Sequence, residues 1–190
     1  MPFLTVEGDL VLDVFSGTGE TLKMLSDLDR NAIGIEKDAE QIANYKNTVL
    51  SDSFLQDFEV INGDALEAST NLKEKFDFIF VDPPVKSHRM FAEMDSIGDQ
   101  PLDTYVKYIA SLIDSLSYSL KEGKYLVCLM QDFYFKGEYF MLPSLVASKV
   151  SNLKFKGIKI YSRCLDVNNI PNKKVYAPVQ NHFYALIFTL

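Results

Sequence analysis

The chain has 190 residues, 47% hydrophobic and 13% aromatic, with nine glycines and seven prolines; this buries one substantial core and fits a single globular domain over 1–190. No apolar run reaches the roughly 18 residues that span a bilayer, and the N-terminus lacks the basic-then-apolar layout of a signal peptide, so no membrane role and a cytoplasmic location are expected. The net charge of −7 is unevenly placed, because residues 149–174 hold seven basic residues against Asp166 alone, +6 locally, which leaves −13 on the rest. That balance disfavours nonspecific attraction to a polyanion while leaving one segment able to face phosphates; a solvated lysine-rich strand edge is the competing reading.

Short β-branched or aromatic runs alternate with segments of helical spacing. The spacing predicts strands over 10–15, 31–36, 58–63, 76–81 and 124–130, several of them apolar throughout, as strands buried on both faces are. Helices are predicted over 19–28, 38–50 and 65–73. Another is predicted over 102–120, where Leu102, Tyr105, Ile109, Leu112, Ile113, Leu116 and Leu120 recur every three or four residues until Gly123 stops the pattern. A helix near 141–151 precedes two closing strands, 155–161 and 181–190, joined by a loop containing Asn168, Asn169, Pro171 and Pro178. This order predicts an α/β fold: a Rossmann-like, seven-stranded, mostly parallel sheet with helices on both faces and a closing antiparallel strand. Cys128 and Cys164 are too few for a disulfide framework, and His88 and His182 lack ligand spacing, so no metal is expected. Cys128 lies inside an apolar strand and reads as core rather than as a nucleophile.

Ligands of an open parallel sheet collect beyond the carboxyl ends of its strands, where the strand order reverses. The first strand ends in DVFSGTG and the fourth in DPP, so both ends should line one crevice. Gly17 and Gly19 permit a tight turn and close approach of a ligand to the backbone. Glu36 closes the second strand 19 residues after Gly17, where a carboxylate can accept from ribose hydroxyls. A dinucleotide would need a third glycine, but that position is Leu22, and acidic Glu20 enters the same turn. S-adenosylmethionine carries no phosphate and tolerates that acidity. Asp64 ends the third strand, where it can accept from an adenine amino group while Ala65 and Leu66 pack on the ring; a helix N-cap explains Asp64 equally well. Asp82-Pro83-Pro84 offers a carboxylate beside carbonyls stiffened by proline, two acceptors for the two hydrogens of an exocyclic amine, although a strand-terminating turn is the plainer account.

TVEGDLVLDVFSGTGETL with DRNAIGIEKDAEQIANY, then FDFIFVDPPV, LDTYVKYIASLIDSLSYSLKEGKYLVCLMQD, FKGIKIYSR and NHFYALIFTL resemble the amino-group DNA methyltransferases, class I S-adenosylmethionine-dependent enzymes that methylate adenine N6 or cytosine N4. The resemblance implies S-adenosylmethionine held by Asp13, Phe15, Gly17, Gly19, Glu36, Lys37, Asp64, Ala65 and Asp82, and catalysis by the Asp82, Pro83, Pro84, Val85 stretch. It implies nucleic acid, DNA before RNA, as the acceptor, with RNA, protein or small-molecule methylation and a non-catalytic partner-binding subunit as alternatives. Three departures stand out. Val85 replaces the aromatic residue on which relatives stack the extruded base, so either a nearby aromatic such as Phe91 substitutes or the substrate is not a flipped base. Only about ten residues precede the first strand, so a helix that closes the methionine end in relatives is absent or supplied elsewhere. No segment is long enough for a target-recognition domain, which assigns that role to a protein partner or to the loops 86–104 and 162–180, where Lys86, His88 and Arg89 could meet a phosphate.

Overall fold

A computed structural model describes residues 4–51, 58–86, 96–162 and 182–190. Nine strands and five α-helices follow in chain order among them: β1 (Leu10–Val14), α1 (Glu20–Asp27), β2 (Asn31–Glu36), α2 (Ala39–Ser51), β3 (Glu59–Asn62), α3 (Ala65–Ser69), β4 (Phe76–Val81), α4 (Leu102–Leu116), β5 (Leu120–Met130), β6 (Phe133–Phe135), β7 (Glu138–Phe140), α5 (Leu142–Ala147), β8 (Lys154–Ser162) and β9 (His182–Thr189). Seven strands form one sheet in the order β3-β2-β1-β4-β5-β9-β8. The first five are parallel, and β9 lies antiparallel between β5 and β8. The expected α/β architecture with one antiparallel strand is therefore the observed one.

Apolar residues of β1 and β4 alternate between two cores. Leu12, Val14, Ile79 and Val81 pack with Ile109, Leu112, Ile113 and Leu116 of α4 on one face. Val11, Phe78 and Phe80 share the other with Leu22 and Leu25 of α1 and Tyr45 of α2. Period-two alternation in a strand sends successive side chains to opposite faces, so a strand covered on both sides must be apolar throughout. All six residues of β4 are buried.

Three predicted helices are corrected in their bounds. Gly123 does not stop α4: the helix ends at Leu116, where the Ser117 hydroxyl donates to the Asp114 carbonyl at 2.6 Å, and a short 3-10 turn, Ser117–Ser119, follows. Gly123, at φ 73°, lies inside β5, where the pairing with β4 shifts register between Phe76 and Phe78. The segment read near 141–151 is helical only over Leu142–Ala147, and the one read over 65–73 only over Ala65–Ser69. The hairpin of β6 and β7 is an addition; its turn, Lys136-Gly137, has φ of 48° and 88°, the two positive values that a tight hairpin needs.

Candidate active site

The strand order reverses between β1 and β4, and the two turns that leave these strands are tied to their neighbours. Phe15 and Ser16 both donate their N–H to the Ile35 carbonyl at 3.0 Å, and the Asp82 N–H donates to the Val14 carbonyl at 3.3 Å. Phe15 takes a φ of 69°, an uncommon left-handed value for a bulky residue, and it lines the crevice. Gly17 and Gly19 have φ of 53° and 82°. At Gly19 a Cβ would stand 2.2 Å from the Tyr45 ring, so both conformation and space require glycine there.

Glu36 closes the glycine turn from β2: Oε2 accepts from the Gly17 N–H and Oε1 from the Asp38 N–H, both at 2.8 Å. Asp64 is an N-cap, its Oδ1 accepting from the N–H of Leu66 at 2.9 Å and of Glu67 at 3.4 Å. The same oxygen also accepts from the Tyr108 hydroxyl at 2.9 Å, which leaves Oδ2 without a partner among the described residues. The plainer reading of Asp64 is thus realised, and it coexists with a place in the crevice wall. A cavity of about 750 Å³ opens over these strand ends; of the residues predicted to hold a cofactor, Phe15, Glu36, Lys37, Asp64, Ala65 and Asp82 line it. Asp13, Gly17 and Gly19, also predicted to hold the cofactor, are not among the residues lining the cavity. Tyr108 lines it as well and was missed: it flanks the apolar stripe of α4 by one position, and its contact with Asp64 spans 44 residues of chain.

The electrostatics are one-sided. Asp13 is 1% exposed, and its Oδ2 and the nearby Ser16 Oγ are buried without a hydrogen-bond partner among the described residues. Burial, then repulsion from Asp82 and Glu36, pushes the Asp13 carboxyl up to about 7. Asp82 is open to the crevice yet walled by protein, and this desolvation raises its carboxyl too. Among the described residues none of Asp13, Glu36, Asp64 and Asp82 forms a salt bridge, whereas Asp9 and Asp77, at the opposite end of the sheet, are paired with Lys121 and Lys124.

Beyond β4 the Tyr105 hydroxyl donates to the Pro84 carbonyl at 3.2 Å. No described group donates to the Pro83 carbonyl or to the Asp82 carboxylate. Lys86 turns inward: it is 7% exposed, and its ammonium donates to the Gly98 carbonyl at 3.0 Å and stands 5.0 Å from the centre of the Phe133 ring. This arrangement fastens the loop rather than presenting a cation at the surface. Val85 is 58% exposed. A second, small cavity of about 20 Å³ lies between Pro83, Val85, Tyr105 and Asp132. Asp82 is the one described residue that lines both cavities. His88, Arg89 and Phe91, and most of the loops 86–104 and 162–180, lie outside the described residues. Cys128 is fully buried in the core, where its thiol is pushed up by burial.

The DNA methylase family matches residues 3–47, which carry β1, the glycine turn and β2. The solved structure of TrmN from Thermus thermophilus superposes with a TM-score of 0.66 at 12% identity, covering 97% of this chain and 45% of that one. An rRNA methylase from Streptococcus thermophilus gives 0.60 at 14% identity over 99% and 90% of the two chains. Magnesium protoporphyrin IX methyltransferase from Synechocystis PCC 6803, solved with bound S-adenosylmethionine, gives 0.59 at 12% identity over 96% and 70%. The fold is that of the class I methyltransferases. The resemblance read in the sequence therefore stands, through the family match over β1 and β2 and through the fold over the whole sheet. The chain spans less than half the length of TrmN. None of the curated proteins matches the chain.

Proposed function

We propose that the protein is an S-adenosylmethionine-dependent N-methyltransferase acting on an exocyclic amine of a nucleic-acid base, adenine N6 or cytosine N4, in DNA before RNA. The crevice suits the cofactor on its own chemistry. Among the described residues two buried polar oxygens, Asp13 Oδ2 and Ser16 Oγ, lack hydrogen-bond partners, and four carboxylates, none in a salt bridge, surround the crevice against one lining lysine, Lys37, an arrangement that favours a cationic ligand free of phosphate. Asp13 and the turn of Gly17 and Gly19 would hold the amino-acid end and Glu36 the ribose, each Glu36 oxygen retaining a lone pair beyond its backbone bond. Asp64 Oδ2 and Ala65 would hold the adenine. When bound, the cofactor supplies an electrophilic methyl group on a sulfonium.

The acceptor side rests on Asp82 and Pro83. A carboxylate and a carbonyl that nothing else occupies can take the two hydrogens of an amine and so orient its lone pair. Tyr105 engages the Pro84 carbonyl, whereas no described group donates to the Pro83 carbonyl, which supports Pro83 as the second acceptor. The observation that carries this reading is the position of Asp82 at the carboxyl end of β4, in the wall of the large crevice and next in sequence to Pro83; the small cavity on its other side has room for about one water, so a base would have to approach from the open side at Val85. The test is transfer of label from methyl-labelled S-adenosylmethionine into DNA, RNA and protein fractions; the rRNA methylase among the similar structures is one reason to include RNA. Asp82→Ala is expected to lower transfer at least a hundredfold at saturating cofactor, on the order of 3 kcal/mol of transition-state stabilisation, a loss well beyond the weakening of cofactor binding that removal of one of the four carboxylates brings. An unaffected rate would remove Asp82 from the mechanism.

Exposed Val85, where a stacking ring would be useful, favours a second reading: a methyltransferase-like subunit that binds a partner and leaves catalysis to it. Intact cofactor binding with no transfer into any fraction would select it. In either case target recognition is assigned to a protein partner or to the loops beyond β4 and β8.

A further inference from the structure

The outermost strand of the sheet is unlike the others. β8 pairs with β9 alone among the described strands, and every residue from Lys154 to Ser162 is exposed except Gly157, which is half-buried. An edge of nine residues with open N–H and C=O groups invites another chain. Lys154, Lys156 and Lys159 punctuate this edge, and Phe155 and Tyr161 beside them are 46% and 54% exposed. Residues 149–162 carry four lysines and no acidic residue, +4 within a chain of −7, so the remainder carries −11.

These features select among occupants. Two such edges brought together would repel, which disfavours pairing with a second copy; lysines on an edge strand also block uncontrolled strand addition. A polyanion is drawn to this edge and repelled from the rest of the molecule. Tyr161 stands on the same sheet face as Lys159 and adds a stacking platform beside a cation, the combination with which proteins hold single strands irrespective of sequence, whereas the Phe155 ring is turned to the other face against Phe188.

Topology connects the edge to the site. Two successive antiparallel pairings, β5 with β9 and β9 with β8, make β8 parallel to β4, so Tyr161 and Ser162 reach the same end of the sheet as Asp82. Three strand spacings, about 14 Å, separate β8 from β4. We propose that the β8 edge is the docking surface for the backbone of a single-stranded or locally opened nucleic-acid acceptor, whose neighbouring base reaches Asp82. The proposal rests on the nucleic-acid reading of the acceptor, and it assigns recognition to phosphates rather than to sequence.

The test is fluorescence anisotropy of a labelled, mixed-sequence single strand of about 20 nucleotides, as DNA and as RNA, titrated with the full chain at about 50 and 200 mM salt. The triple variant Lys154→Ala, Lys156→Ala, Lys159→Ala is expected to bind at least tenfold more weakly at the lower salt. Its log–log salt slope should shrink by about 2, three phosphates at roughly 0.7 each. Tyr161→Ala should weaken binding without changing the slope, and Lys73→Ala with Lys107→Ala, away from β8, should change neither. Affinity of the triple variant within twofold of wild type would overturn the proposal. So would equal losses in the two lysine sets, or a wild-type dimer that the β8 substitutions dissociate while nucleic-acid affinity stays unchanged. Calorimetry with S-adenosylmethionine on the same samples keeps the two readings apart: absent cofactor binding removes the methyltransferase reading, while the anisotropy series alone decides the role of β8.

Discussion

Asp13 shows what a single buried carboxyl does to the whole site. In the folded chain it titrates near 7, against 3.8 as an ordinary aspartate, with burial the largest cause. Between those values the folded state keeps a proton that the unfolded state has lost. Its contribution to stability is thus fully present below about 3.8 and is lost as pH rises to about 7. Asp13→Asn, similar in shape and neutral at every pH, should flatten this part of the profile. Thermal denaturation of the cofactor-free protein is expected to show similar melting temperatures at low pH and a widening gap toward pH 8, where the variant is the more stable by on the order of 2 kcal/mol. A cationic ligand reverses the preference by stabilising the ionised carboxylate. Binding of S-adenosylmethionine near pH 6 should therefore release a proton, seen as a calorimetric enthalpy that depends on the buffer's ionisation heat, and Asp13→Asn should remove that dependence. Equal pH profiles for both proteins would show that Asp13 is not the titrating group.

The turn between β1 and α1 is set by one steric fact, the contact of Gly19 with the Tyr45 ring. Gly19→Ala adds a Cβ 2.2 Å from that ring at a φ of 82°. Left-handed strain costs about 1–2 kcal/mol and overpacking about 1–3 more, so a loss of roughly 3 kcal/mol is expected in urea denaturation, together with weaker cofactor binding. Unchanged stability would mean that Tyr45 moves aside at no cost. Such turns were legible in the sequence because strand, glycine turn and helix are contiguous. β2 and β4 were legible to the residue because each holds a short apolar run, 32–35 and 78–81, with polar or charged residues only at its ends, Asn31 and Glu36 in β2 and Asp77 near the start of β4. The end of α4 was not, since Leu116 and Leu120 keep the helical spacing across the break and neither glycine nor proline marks it. The hairpin of β6 and β7 has three-residue strands, too short for a period to register. In the site, the acids at strand ends were legible because parallel strands bring their carboxyl ends together. The parts played by Tyr105 and Tyr108 were not, because their partners lie 21 and 44 residues away in the chain.

Across the molecule, charge divides between the two ends of the sheet. At the amino ends of the strands Asp77 accepts from the Leu10 N–H at 3.1 Å and is paired with Lys121 and Lys124 at 2.7 and 3.2 Å. Burial raises its carboxyl, but the hydrogen bonds from Lys121, Leu10 and Lys124 outweigh that and hold it below the usual range. At the carboxyl ends the acids of β1, β2 and β4 face one another without such partners, so repulsion there opposes the fold. A ligand that neutralises them should stabilise the whole sheet, because the crevice draws on four strand ends and unfolding any one of them releases it. At a concentration about 100 times its Kd, S-adenosylmethionine adds about 2.7 kcal/mol to the stability of the folded state. For a chain of this length that raises Tm by roughly 5–10 °C. NAD, which brings two phosphates to the same acids, should leave Tm unchanged, and differential scanning fluorimetry with each ligand reads the contrast directly. An equal or larger rise with NAD would mean that the crevice accepts a dinucleotide, and the assignment of its four carboxylates to a cationic, phosphate-free ligand would fall.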